Sequence, residues 1–85
     1  MTDEEVVVYR RPGCGFCMTL ELGLRRRGIE FRSVDIWKDP EAAAFVRSHA
    51  RGNETVPTVT VAGQTLVNPS ARTVAQLASA GAAEP

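Results

Sequence analysis

The chain has 85 residues, 44% of them hydrophobic, which suits one domain with a single core. Ten basic residues balance ten acidic ones, and this balance argues against a surface that binds nucleic acid or an anionic membrane. No apolar stretch is long enough for a transmembrane helix, and the acidic N-terminus lacks the layout of a signal peptide. We therefore expect a cytoplasmic monomer with one domain over 1–85, its core at about 5–80 and a frayed tail at 81–85.

The first predicted elements are a strand and a helix joined by a tight turn. The β-branched run at 6–9 is typical of a strand that is buried on both faces. Pro12 and Gly13 then interrupt the strand and predict a turn. Apolar residues at helical spacing predict a helix over 15–27, and Gly28 ends it.

A second strand and a second helix follow. A strand is predicted over 30–36, where Val34 and Ile36 alternate with Ser33 and Asp35. Asp39 is a typical N-cap residue and Pro40 suits the first helical position, so a helix is predicted to begin there and to stop near 52–53.

The last part of the chain predicts a hairpin and a closing helix. Residues 58–61 and 65–67 read as two strands joined by a tight turn at 62–64. The Asn-Pro-Ser sequence at 68–70 then starts a helix. The complete order, β-α-β-α-β-β-α, predicts an α/β fold with a four-stranded mixed sheet and helices on both faces. Its first two strands are expected to be parallel and its last two antiparallel.

Two cysteines, Cys14 and Cys17, lie at the junction of the first strand and the first helix. A loop this short removes little unfolded-state entropy, so the pair does not serve to staple the fold. At a helix N-terminus the Cys14 thiolate would face unpaired backbone N–H groups, and its pKa is expected to fall below the usual value of about 8.5. Arg11 adds positive charge nearby. We predict Cys14 as a nucleophile and Cys17, one turn later and more buried, as the resolving thiol.

Several residues have plainer interpretations. The two cysteines alone are also compatible with an inert core pair, or with half of a zinc site. Only His49 remains as a further strong ligand, so no metal is expected, and His49 is interpreted as a partly buried packing residue. Trp37 is interpreted as packing on the sheet edge. Pro57 precedes a strand, where an ordinary trans proline is the first interpretation.

Three segments combine into a specific pattern: Cys-Gly-Phe-Cys at 14–17, Thr-Val-Pro-Thr-Val at 55–59 and Asn-Pro-Ser at 68–70. Together they resemble the glutaredoxins of the thioredoxin-like superfamily. Within that superfamily the pattern is most similar to the mycoredoxins, because a Gly-Asn-x-Thr-Val-Pro-Thr-Val segment occupies 52–59. The resemblance extends over about residues 5–80 and implies the thioredoxin-like fold.

The resemblance also implies an activity. It implies an enzyme that reduces mixed disulfides between proteins and a low-molecular-weight thiol, with mycothiol favoured over glutathione as reducing co-substrate and no bound metal or nucleotide. Cys14 would attack, Cys17 would resolve, and Pro57 would be the cis-proline of the family. The Val56 backbone would pair with the bound thiol like an added strand. The substrate-binding residues predicted in this way are Arg11, Phe16, Thr55, Val56, Pro57, Asn68 and Ser70.

The chain departs from the common glutaredoxin pattern at two places. Many members have Pro-Tyr between the cysteines and a Gly-Gly with an acidic residue before the last helix, where this chain has Gly15-Phe16 and the 68–70 segment. Both differences favour a thiol whose head group is not that of glutathione.

Two alternatives stay open. Residues 9–12 resemble the entry to the active site of ribonucleotide-reductase-associated redoxins, which thioredoxin reductase reduces. Residues 14–17 also resemble the Cys-Gly-Phe-Ser of iron–sulfur cluster carriers, which are not enzymes.

Overall fold

The computed structural model describes residues 5–83, and their element order matches the β-α-β-α-β-β-α order predicted from the sequence. The α/β fold class is therefore confirmed. Most element ends lie within one or two residues of the predicted ones. The elements are β1 Val7–Arg10, α1 Gly15–Arg26, β2 Arg32–Asp35, α2 Pro40–His49, β3 Thr58–Val61, β4 Gln64–Val67 and α3 Ala71–Ala83.

The four strands form one mixed sheet in the order β2-β1-β3-β4. Strand β1 pairs with β2 in parallel, whereas β1 with β3 and β3 with β4 are antiparallel. The two predicted pairings are confirmed, and the β1–β3 pairing joins them into one sheet. The valine-rich strands β1 and β3 occupy the centre because their side chains are apolar on at least one buried face.

One face of the sheet, called here the α1/α3 face, carries the larger core. Alternation along β1 and β3 directs Val8 and Val59 to this face, and these two residues are partners across the strands. Gly23 lets the two helices approach closely, because a Cβ built there would lie 2.7 Å from Ala71 Cβ. The buried residues of this core are Val6, Val8, Leu20, Leu24, Val59, Val61 and Val74.

The opposite face, called here the α2 face, carries a smaller core. Its buried members are Ile36, Ala42, Ala43 and Val46, and three partly buried residues pack against them, Tyr9, Val34 and Val56. Helices therefore cover both faces of the sheet, as the sequence predicts.

Side chains fix the starts of α2 and α3, and backbone conformation fixes the end of α2. Asp39 Oδ1 accepts hydrogen bonds from the backbone N–H groups of the first turn of α2, at 3.1 Å, so the predicted cap is confirmed. Ser70 Oγ accepts from Thr73 N–H at 3.1 Å and caps α3. Helix α2 ends at His49, earlier than predicted, because Arg51 and Gly52 have positive φ angles of 58° and 85°.

Two side chains differ from their predicted environments. Trp37 is 65% exposed and does not pack on the sheet edge. The preceding Ile36 takes the buried position, and Trp37 follows it in the turn after β2. His49 is exposed rather than partly buried, although its ring lies 4.6 Å from that of Phe45.

The C-terminal region begins as predicted. Helix α3 continues through Ala83, into the segment expected to fray, and the last two residues of that segment lie outside the described part. Within residues 5–83, no helix combines the length and apolar character needed to cross a bilayer.

Candidate active site

Cys14 lies at the N-terminus of α1 and is its N-cap residue. The Pro12-Gly13 turn brings the chain out of the central strand β1, and Gly13 supplies the positive φ of 75° that the turn uses. Cys14 Sγ accepts a hydrogen bond from the Cys17 N–H at 3.1 Å. The first turn of α1 holds no acidic residue. The sulfur thus lies at the positive end of a helix, next to a backbone donor that suits an anion.

Cys14 and Cys17 are joined by a disulfide bond, and their Cα atoms are 5.2 Å apart. Cys17 has no exposed surface, whereas Cys14 retains 7%. The predicted order of burial is therefore confirmed. In the reduced pair, an incoming group would meet Cys14 first, and Cys17 would remain within reach behind it.

The 55–57 segment forms the wall opposite Cys14. The Val56 carbonyl oxygen lies 4.0 Å from Cys14 Sγ. The Val56–Pro57 peptide bond is cis, the isomer implied by the resemblance and not the trans isomer first inferred from the residues alone. Thr58 Oγ1 donates to the Thr55 carbonyl at 2.8 Å, which ties the segment to the start of β3. No hydrogen bond within residues 5–83 engages the Val56 N–H, so it is available to an extended ligand.

The 68–70 segment lies beside this wall. Asn68 N–H donates to the Pro57 carbonyl at 2.7 Å, and Asn68 itself takes the left-handed conformation with φ of 54°. Within the 68–70 segment, which the sequence predicts to start a helix, the side chain that caps α3 is that of Ser70. The structure therefore places Thr55, Val56 and Pro57 together and joins Asn68 to them.

Arg11 and Phe16 lie three residues before and two residues after Cys14 in the chain, and both are exposed. Phe16 is 74% exposed, and Arg11 is exposed within the turn that precedes Cys14. Neither side chain is held by an ion pair among the described residues.

Sequence reasoning missed a buried acidic residue on α1. Glu21 is 7% exposed and accepts a 2.8 Å hydrogen bond from Ser33 Oγ of β2. Arg10 Nε, at the end of β1, lies 3.2 Å from the same carboxylate oxygen, although its N–H is not aimed well enough for a hydrogen bond. This cluster ties α1 to the two strands beneath the active-site turn. A charged residue in a run of apolar helix positions was the signal for it.

Within the described part of the chain, no three histidine, cysteine or acidic side chains come together as a metal site would require. His49, the additional ligand considered above, stacks instead on Phe45 of α2.

The fold, with its Cys-x-x-Cys pair at a strand–helix junction, defines a thioredoxin-like protein. The family model for glutaredoxin matches residues 6–66. The chain therefore belongs to the glutaredoxin family, whose members are thiol oxidoreductases. This confirms the family predicted from the motifs.

Relatives and a solved structure agree with this placement. A protein of Mycobacterium tuberculosis H37Rv with a glutaredoxin name is 43% identical over 72 residues, which cover 84% of this chain and 86% of the relative. Mycoredoxin 1 of Corynebacterium glutamicum is 39% identical over 54 residues, covering 64% of this chain and 66% of that protein. The glutaredoxin-like NrdH-redoxin of Escherichia coli has a TM-score of 0.73 at 23% identity, over 86% of this chain and 93% of that one. The last comparison confirms the thioredoxin-like fold.

Proposed function

We propose that this protein reduces mixed disulfides between proteins and a low-molecular-weight thiol, with Cys14 as nucleophile, in a reducing cytoplasm. The observation that carries the proposal is the position of Cys14 Sγ at the N-terminus of α1, 3.1 Å from the Cys17 N–H. Because these groups stabilise the thiolate over the thiol, we expect the pKa of reduced Cys14 to lie below about 8.5. A larger fraction of Cys14 than of an ordinary cysteine would then be ionised near neutral pH.

The reaction begins with the reduced protein. The Cys14 thiolate attacks the small-thiol sulfur of the mixed disulfide, and the substrate protein leaves as a thiolate that takes up a proton. Cys14 now carries the small thiol as a mixed disulfide. The thiolate of a second small-thiol molecule then attacks the small-thiol sulfur of this mixed disulfide. The two small thiols leave joined by a disulfide bond, and the Cys14 thiolate is regenerated. Alternatively, Cys17 attacks Cys14, releases the small thiol and forms the Cys14–Cys17 disulfide.

The 55–57 and 68–70 segments support substrate binding. The unengaged Val56 N–H and the carbonyl beside Cys14 suit the peptide-like part of a thiol, which would add to the segment like a strand. Arg11, Phe16, Thr55, Pro57, Asn68 and Ser70 are proposed to surround it. Asn68 and Ser70 present neutral side chains where many family members have an acidic one.

Mycothiol is proposed as the reducing co-substrate. The neutral 68–70 segment and the relative named mycoredoxin 1 both support a thiol other than glutathione. Mycothiol has a sugar head group in place of the glutathione termini. Hydroxyl groups can hydrogen-bond the amide of Asn68 without a charged partner. The Ser70 hydroxyl already donates to Thr73 Oγ1 and accepts from the Thr73 N–H, so it could accept one further hydrogen bond from the sugar.

The proposal is tested with a model protein mixed disulfide, reduced by mycothiol or by glutathione in separate assays. The parent protein, Cys14→Ser and Cys17→Ser are compared. We expect Cys14→Ser to fall to background and Cys17→Ser to keep much of the activity through the route that needs one cysteine. Iodoacetamide should react first with Cys14, with a pH midpoint below about 8.5 in the Cys17→Ser variant.

Three results would overturn parts of this proposal. Equal or faster turnover with glutathione would overturn the mycothiol assignment. Reduction by NADPH through thioredoxin reductase, with no small thiol present, would favour the ribonucleotide-reductase-associated redoxin. Visible absorbance of anaerobically purified protein, together with inactivity toward mixed disulfides, would favour the cluster carrier.

A further inference from the structure

A groove of about 490 Å³ runs along α1 on the side that faces the start of α3. Phe16, beside Cys14, lines one end, and Asn68 of the segment bonded to Pro57 also contributes. Arg26 and Arg27, in and just after the last turn of α1, line the other end. The groove is thus continuous with the proposed active site but extends well beyond it.

The floor of the groove depends on the close contact of the two helices. Gly23 lies at this contact, where an added Cβ would meet Ala71. Leu20 and Leu22 contribute apolar surface, and Leu22 remains 46% exposed. An apolar, exposed lining of this kind gains free energy when a ligand covers it.

The far end of the groove is positively charged and has no acidic residue in its lining. Arg26 forms no ion pair among the described residues, and Arg27 makes only a 3.4 Å bond to the Gly23 carbonyl. Arg25, by contrast, lies over the Phe31 ring and is engaged outside the groove. Two guanidinium groups outweigh the partial charge of about −0.5 at a helix C-terminus. Because the whole chain is neutral, this charge is a local feature.

The length of the groove selects the class of ligand. Helix α1 has 12 residues, which is about 18 Å at 1.5 Å per residue. A tripeptide-sized thiol attached at Cys14 spans at most about 11 Å, so it covers only part of this length. An extended peptide covers the distance in about five or six residues.

We propose that this groove binds the segment of the substrate protein that flanks its disulfide cysteine, and that it selects an apolar stretch ending in an acidic side chain. The inference rests on the proposed function, because it assumes that the mixed disulfide of a protein with a small thiol approaches Cys14 for attack. Phe16 and Leu22 contact the apolar part, and Arg26 and Arg27 bind the carboxylate. Arg26 and Arg27 are thus specificity residues and take no part in the exchange of sulfur bonds.

The test uses synthetic peptides with one cysteine in a mixed disulfide with mycothiol. A glutamate, glutamine or lysine is placed six residues before or six residues after the cysteine, with apolar residues between. The parent, Arg26→Gln, the double variant Arg26→Gln/Arg27→Gln and the control Arg51→Gln are compared by kcat/KM. Arg51 is an exposed arginine just after α2 and does not line the groove. Arg51→Gln therefore removes one positive charge away from the groove.

On one side of the cysteine we expect the parent to prefer glutamate over glutamine by about fivefold and to disfavour lysine. Arg26→Gln should reduce this preference, the double variant should abolish it, and Arg51→Gln should retain it. High salt should also reduce it, because exposed charges are screened. Equal kcat/KM for all peptides in the parent, or equal losses in Arg51→Gln and Arg26→Gln, would overturn the inference.

A second measurement separates this inference from the proposed function. Copies of the peptides with serine in place of cysteine are titrated into the parent and the double variant. Tighter binding of the glutamate peptide by the parent alone supports the groove, even if no peptide were reduced. If every peptide were reduced without any charge preference, the proposed function would be supported and the proposed role of the groove would be contradicted.

Discussion

The two faces of the sheet differ in the size of the side chains they bury. The α1/α3 face buries five valines and two leucines, whereas the α2 face buries two alanines, one valine and one isoleucine. Apolar burial stabilises a fold by roughly 25 cal/mol per Å², so the α1/α3 face contributes more to the free energy of folding. The α2 face instead supports Val56, whose carbonyl lies beside the Cys14 sulfur. Stability and the geometry of the site wall thus depend mainly on different faces.

The sharpest way to break this comparison is to remove a large side chain from the α1/α3 face. Leu24 is fully buried in that core, and Leu24→Ala leaves a cavity that neighbouring side chains fill only in part. We expect a loss of about 3 kcal/mol in the free energy of unfolding, measured by urea denaturation. Leu22→Ala on the same helix is the control, because Leu22 is 46% exposed and its truncation should cost much less stability. A Leu24→Ala variant as stable as Leu22→Ala would contradict the assignment of the main core.

A matching change on the α2 face should cost less stability and more activity. Val46 is fully buried in the cluster against which Val56 packs. Val46→Ala should lower the free energy of unfolding by about 2 kcal/mol. It should also lower kcat/KM for mixed-disulfide reduction by about tenfold, because Val56 loses support next to Cys14.

The control for this loss is Leu24→Ala, assayed at a temperature where both variants remain folded by circular dichroism. If Leu24→Ala lost as much kcat/KM as Val46→Ala, the two faces would not differ in their influence on the site.

The smallest expected effect sharpens the description of the α1/α3 face. An alanine in place of a glycine normally favours a helix by about 1 kcal/mol. At Gly23 the new Cβ would collide with Ala71 Cβ, so we expect Gly23→Ala to destabilise the protein by about 1 kcal/mol instead. The measurement is thermal or urea unfolding.

Gly15→Ala is the matched control on the same helix, since a Cβ there meets no atom within 4 Å. Adding Ala71→Gly to Gly23→Ala should recover stability, because it removes the other half of the collision. A failure of this double variant to recover would show that the helices do not touch at Gly23.

Much of the fold could be predicted from local signals. Asp39 followed by Pro40 marked the start of α2, and the Asn-Pro-Ser segment marked the start of α3. The end of α2 was predicted a few residues beyond its actual position at His49. Arg51 takes a left-handed conformation there, and an arginine gives no sequence signal for that conformation. Trp37 was predicted to pack because large aromatic residues often do, but the turn after β2 buries Ile36 and leaves Trp37 exposed.

The part of the candidate site that depends on local sequence was also predictable. Cys14 and Cys17 are three residues apart at a strand–helix junction, and local geometry alone brings them together. The approach of Val56 to Cys14 joins residues 42 positions apart, and only the pairing of β1 with β3 creates it. Gly23 within α1 was a signal for a close helix contact, but its partner Ala71 could not be identified from the sequence.

The sequence by itself determined the seven elements, the helix-terminal position of Cys14 and the family, because these follow from residues that are neighbours along the chain. Only the tertiary structure decided which face carries the main core, how close the Val56 carbonyl lies to the Cys14 sulfur and where α1 and α3 enclose a groove. These features depend on packing between segments distant in sequence, where the shape of every side chain contributes and no local pattern specifies the partner.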